Sequence, residues 1–176
     1  MGSTPAPAGV TAVQQLWTQR ASQVLSGAAA SVTFSGLTDS AYRLTCNYSL
    51  TAAVNPRLTL NNDTGANYSE QQAYANAGSI TAVRNTGQAF IPLVVTGVSN
   101  QDLAHGVTIV VQKPIAGQHG HVLITTAANR AAGTNQISEM VAAIWGNTAD
   151  KATRIDLVLS SSTYKSGSTF TVEGIV

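Results

Sequence analysis

The chain has 176 residues, of which 9 are Lys or Arg and 8 are Asp or Glu, for a net charge of +1. Charged residues make up 10%, against about 25% in an ordinary soluble domain, whereas 59 residues are Ser, Thr, Asn or Gln. The surface must therefore be wetted by hydroxyls and amides, and the near-zero net charge argues against a basic nucleic-acid binder or a protein held to an anionic membrane.

A hydrophobic share of 44% is enough for one domain with a real core and no staples. A single cysteine, Cys46, excludes a disulfide scaffold. No apolar run approaches the about 20 residues that a membrane-spanning helix needs.

Residues 1–16 read as an extended arm. Pro5 and Pro7 deny a regular helix early on, and the stretch has neither the basic start nor the apolar run of a secretory signal. Val13, Leu16, Trp17 and Ala21 share one stripe at helical spacing. One short helix there fits as well as an irregular lead-in with Trp17 as an anchor. Residues 17–176 are expected to form the folded domain.

Beyond residue 22 the period becomes two. Val32 and Phe34 share a face, and so do Leu44, Cys46, Tyr48 and Leu50. The short run Arg57–Leu60 ends in Asn61-Asn62-Asp63-Thr64-Gly65, a dense turn signal. Phe90–Val95 is apolar on both faces, but Pro92 confines it to an edge or a bulge.

Residues 107–111 and 122–126 are rich in β-branched side chains, and 154–160 and 170–175 alternate. The spacing over Ile137–Trp145 fits a helix and also a bulged strand. Eight or so short strands with Gly, Asn and Ser turns predict an all-β sandwich or barrel.

Few residues suggest chemistry. Cys46 sits in an alternating run and reads as a small buried hydrophobe. His119 and His121 would point to one face of an extended segment, yet His105 is the sole further histidine and no carboxylate lies nearby in sequence. A zinc site needs three or four ligands.

The eight carboxylates form no recognisable acid–base pair, with Asp156 and Glu173 expected on exposed faces. No Gly-x-Ser-x-Gly elbow or phosphate-cradling loop occurs. No catalytic, cofactor-binding or metal-binding residue is assigned, and the chain is not expected to be an enzyme. Phe34, Phe90 and Phe170 read as core, while Tyr68 and Tyr74 are expected in an exposed, loop-like middle.

Several segments carry a resemblance. They are Trp17, Leu25–Leu37, Tyr42-Arg43-Leu44, Leu58–Tyr68 with its Asn-Asp-Thr-Gly-Ala-Asn-Tyr loop, and the terminal stretch Ser166–Ile175. In these the chain resembles a family of tailed-bacteriophage virion proteins found as capsid decoration proteins, head fibres and tail-associated proteins. The resemblance spans roughly residues 17–176.

Members often carry Leu-Tyr before the final Gly-Ile, where this chain has Val172-Glu173. The resemblance implies a jelly-roll-like antiparallel β-sandwich with an extended N-terminal arm, and a strand rather than a helix over 137–145. It also implies a capsid decoration protein on the virion surface, made in the host cytoplasm. Its expected partners are further copies of itself, as a homotrimer, and the phage major capsid protein, with no nucleic acid and no membrane. The alternative is a tail- or fibre-associated module that binds host glycan or protein. The resemblance brings no catalytic residue.

Overall fold

The computed structural model describes residues 17–52, 54–76, 79–94, 105–112, 117–129 and 136–175. The expected arm 1–16 lies outside the described residues. The described chain forms twelve strands: β1 (Thr18–Val24), β2 (Ser31–Ser35), β3 (Ala41–Tyr48), β4 (Arg57–Leu60), β5 (Tyr68–Asn76), β6 (Ser79–Gln88), β7 (Ile91–Pro92), β8 (His105–Gln112), β9 (Gly120–Asn129), β10 (Gln136–Trp145), β11 (Arg154–Val158) and β12 (Thr169–Ile175).

Two antiparallel sheets result, ordered β1-β12-β3-β8-β9-β10-β5-β6 and β2-β11-β4-β7. Eight strands carry a nested pairing: β1 with β12, β2 with β11, β3 with β8, and β4 with β7. Nesting of this kind, split over two facing four-stranded halves, is the jelly-roll arrangement. The fold is thus the expected jelly-roll-like antiparallel β-sandwich.

The other four strands are two excursions from that frame. The hairpin β5–β6 leaves between β4 and β7, and β9–β10 leaves between β8 and β11. They meet where β10 pairs β5, from Ser138 opposite Ala75 to Trp145 opposite Tyr68. One sheet is thereby widened from four strands to eight.

Alternation explains most of the core. Leu44, Cys46 and Tyr48 of β3 point inward with Val107, Ile109 and Val111 of β8 and Phe170 and Val172 of β12. Tyr164 sits edge-on to both Tyr48 and Phe170, with ring centroids 5.3 and 5.1 Å away, a favourable geometry for aromatic rings. Burial pushes the Cys46 thiol up to about 12, so it packs as a hydrophobe and is poorly suited to act as a nucleophile.

Several expectations are corrected. The stripe through Trp17 and Ala21 does not become a helix in its described part, because Thr18–Val24 pairs along β12 as an edge strand. The middle of the chain is not loop-like: residues 68–76 and 79–88 form the β5–β6 hairpin. Tyr68 is fully buried, and its hydroxyl accepts a hydrogen bond from the Leu60 amide at 2.9 Å.

Asp156 is buried rather than exposed, held by Arg154 at 2.7 Å and by the Thr33 hydroxyl at 2.7 Å. Phe90 is half-buried, with the Arg57 guanidinium carbon 4.1 Å from its ring centroid. Pro92 does lie in an edge strand, β7.

A candidate interaction face on the eight-stranded sheet

Along the strands of the wide sheet successive side chains point to opposite faces, and from β12 to β5 the inward set is largely buried while the alternate set faces outward. Cross-strand register assembles the outward sets into rows. One row runs Glu173, Arg43, Val110, Leu123, Ala142, Gln71 and Arg84 across β12, β3, β8, β9, β10, β5 and β6. The next runs Thr108, Thr125, Met140, Ala73 and Ala82.

From β8 to β6, Arg84 is the sole Asp, Glu, Lys or Arg side chain of the described outer face. The exposed large hydrophobics of the described chain concentrate here: Ile80 is 83% exposed, Met140 49%, Leu123 43% and Ile144 42%.

The face is uneven. A shallow depression of about 570 Å³ lies over Val110, Leu123, Ile144 and Ala142, rimmed by His121, Gln112, Gln71 and Arg84. A second, about 680 Å³, runs past Met140, Thr108, Thr125 and Ala73 toward Ile80. Shallow, apolar-floored and hydroxyl-lined, the face is built for contact by shape rather than by charge.

At the β3–β12 end the charges reappear, but paired. Arg43 Nε donates to Glu173 Oε2 at 2.7 Å, and the guanidinium stands 5.0 Å from the Trp17 ring centroid. Glu173 neutralises Arg43, which also braces Trp17 at the point where the described chain begins.

Behind this face, the inward side of the extension is unusually polar. Glu70, Gln72 and Glu139 are buried there. Glu70 Oε1 accepts from Gln72 Nε2 at 2.5 Å and Asn85 Nδ2 at 2.9 Å. Its Oε2 has no hydrogen-bond partner. Burial raises the Glu70 carboxyl above its usual range, outweighing those two donors.

The loop that the sequence marks most strongly turns out to be architecture. Asn61 and Asn62 adopt left-handed backbone, φ 53° and 57°, which Asn tolerates better than most residues. Asn61 Oδ1 accepts from the Thr153 and Arg154 amides at 2.8 and 3.0 Å, tying β4 to the start of β11. Asp63 Oδ1 accepts from the Gly65 amide at 2.9 Å, and Asp63 Oδ2 from the Asn67 amide nitrogen and the Trp145 indole. Saturated by donors, this carboxylate has little left for a ligand.

His119 and His121 are both exposed, with His121 on the outer face. Among the described residues no group of three or more His, Cys, Asp or Glu side chains comes together. The side chain of His105 and all of Asp102 lie outside the described residues. Composition foretold a neutral surface, but nothing local in the sequence marked this face, because it is assembled from strands of two separate excursions. No family model, curated protein or solved structure matches the chain.

Proposed function

We propose that the chain is a structural subunit of a bacteriophage virion, a capsid decoration protein that associates with copies of itself and lies on the head. The observation that supports this best is a jelly-roll frame whose wider sheet presents a broad outer face with, among the described residues, a single charged side chain from β8 to β6. Many weak contacts of this kind, repeated by symmetry, give firm attachment without any one strong bond. The resemblance in the Asn62–Tyr68 loop and in the last strand supplies the virion context. Fold alone would not, since jelly rolls serve many functions.

The receptor-binding alternative has less support. Of the two tyrosines expected to be exposed, Tyr68 is buried and Tyr74 is half-buried on the inward-facing set of β5, so neither offers a stacking platform on the outer face.

The test is to add purified protein to phage heads that lack it and measure occupancy by mass spectrometry and electron microscopy. Leu123→Glu and Met140→Glu sit on exposed positions and should leave the fold intact while reducing occupancy at least about tenfold, a change of about 1.4 kcal/mol. Attachment should persist in high salt, because little of it is charge pairing. Full occupancy by both variants, or no binding of the wild-type chain to heads, overturns the proposal.

A further inference from the structure

A sheet edge exposes a row of unpaired amides and carbonyls, and proteins usually blunt it by shortening it, bulging it or placing proline or charge there. Among the described residues the two sheets have four edges, and three of them are blunted. β1 has a bulge between Gln19 and Ala21, with Arg20 ion-paired to Asp39. β7 is two residues long and contains Pro92. β2 has five residues and stops at Gly36, φ 70°.

β6 is different. It has ten residues, no proline and one charged side chain, Arg84. Its register with β5 is regular from Ser79 to Asn85, and the shift falls only beyond Asn85. Among the described residues no strand lies against its outer edge.

We infer that β6 is the contact between two copies of this chain, paired antiparallel about a two-fold axis through Ala82. Three features select this occupant and this register. A two-fold axis normal to the sheet keeps the outer faces of both copies on one side, so directly opposed residues must share a face. That condition centres the dyad on a residue rather than between two.

Centring on Arg84 would oppose two like charges, which is unfavourable. Centring on Ala82 places small side chains at the dyad, sets Ile80 opposite the Arg84 stem of the other copy, and pairs Thr81 with Val83 on the inner side. All seven residues from Ser79 to Asn85 then match. Ile80, the most exposed large hydrophobic side chain described, gains a neighbour, and the two outer faces become one continuous surface.

An isologous contact closes at two copies, so the homotrimer expected from the resemblance would have to use other surfaces. The pairing stands on strand geometry and does not depend on where the subunit is used.

The experiment is sedimentation of the full chain, with disulfide trapping. Wild-type protein should reversibly dimerise with a Kd on the order of tens of micromolar, as befits a small interface. Ala82→Cys should form a disulfide-linked dimer under mild oxidation. Ser35→Cys, on the blunted β2 edge, should not, and Cys46 is buried and silent.

Ala82→Lys places two like charges at the dyad and should weaken the dimer at least about tenfold while leaving the thermal melt unchanged at about 1 micromolar, well below the dimer Kd. A wild-type chain that stays monomeric at several hundred micromolar overturns the inference. So does association that Ala82→Lys leaves intact, or cross-linking of Ala82→Cys no faster than Ser35→Cys. Loss of head binding with dimerisation intact would count against the proposed function alone.

Discussion

The Trp145 indole nitrogen donates a hydrogen bond to Asp63 Oδ2 at 2.7 Å, joining the end of β10 to the loop between β4 and β5. The contact locks the second excursion of the chain to the root of the first. Trp145 is fully buried against Tyr68, its β10–β5 register partner. The Tyr68 hydroxyl in turn donates to the Asp63 carbonyl at 3.1 Å. One loop thus fixes both aromatic side chains that root the widened sheet.

Trp145→Phe keeps a six-membered aromatic ring but removes the pyrrole part of the indole with its N–H donor. A hydrogen bond to a charged acceptor contributes about 1.5–3 kcal/mol and the lost core volume adds to it, so urea unfolding should show a loss of at least about 2 kcal/mol. A loss under about 0.5 kcal/mol would mean that water replaces the indole without cost.

Two carboxyl groups should give opposite pH dependence. Burial opposes ionisation of Asp63, but donors from Trp145, Asn67 and Gly65 outweigh it, and the carboxyl falls below its usual value of 3.8. Its contribution is present above that value and is lost as pH falls through the folded value. Asp63→Asn should therefore be less stable than wild type at pH 7 and converge with it in acid.

Glu70 is raised above 4.5 by burial, so its contribution is present below that value and is lost as pH rises through the folded value. Glu70→Gln, which retains an acceptor oxygen for Gln72 and Asn85, should melt higher than wild type at pH 7, with the gap closing in acid. Thermal melts at pH 3, 5 and 7 check both. Parallel curves for all three proteins would show that neither group titrates differently on folding.

Tyr164 carries a buried hydroxyl with no hydrogen-bond partner, while its ring packs edge-on to Tyr48 and Phe170. Tyr164→Phe should be neutral or stabilising by up to about 1 kcal/mol, because an unsatisfied polar group leaves the core. Tyr164→Ala should cost about 3–5 kcal/mol. Chemical denaturation of the two variants separates the roles of ring and hydroxyl.

Gly174 lies in the terminal strand where the Arg20–Asp39 ion pair crosses it. A Cβ there would collide with the Asp39 carboxylate and crowd Arg20 Nε at 3.1 Å. Gly174→Ala should displace that pair and cost about 1–3 kcal/mol as overpacking. Asp39→Ala should cost less, since a partly exposed ion pair contributes about 0–1 kcal/mol. In Asp39→Ala the added methyl at Gly174 should become nearly neutral, and a double-mutant cycle measures this directly.

The local period of the sequence determined a good part of this protein. Contrast between apolar and polar neighbours marked β2, β3, β11 and β12, placed Cys46 in the core and set Pro92 at an edge. The Asn61–Gly65 cluster marked a turn, although its role as a bracket for Trp145 and the start of β11 was not legible. β5 and β6 are not legible in the sequence because Glu70, Gln72 and Asn85 face inward and Gln71 and Arg84 face outward. A strand that is polar on both sides carries no period-two contrast. β1 was hidden similarly, as an edge strand whose side chains are nearly all exposed.

The candidate interaction face and the outer edge of β6, unpaired among the described residues, were decided by tertiary structure alone. Period two tells which residues of one strand share a face, but it is silent about which strands stand side by side. That choice depends on nested pairing between distant parts of the chain and on the meeting of two excursions at β10 and β5, and only those long-range pairings bring Val110, Leu123, Ala142 and Arg84 into one row.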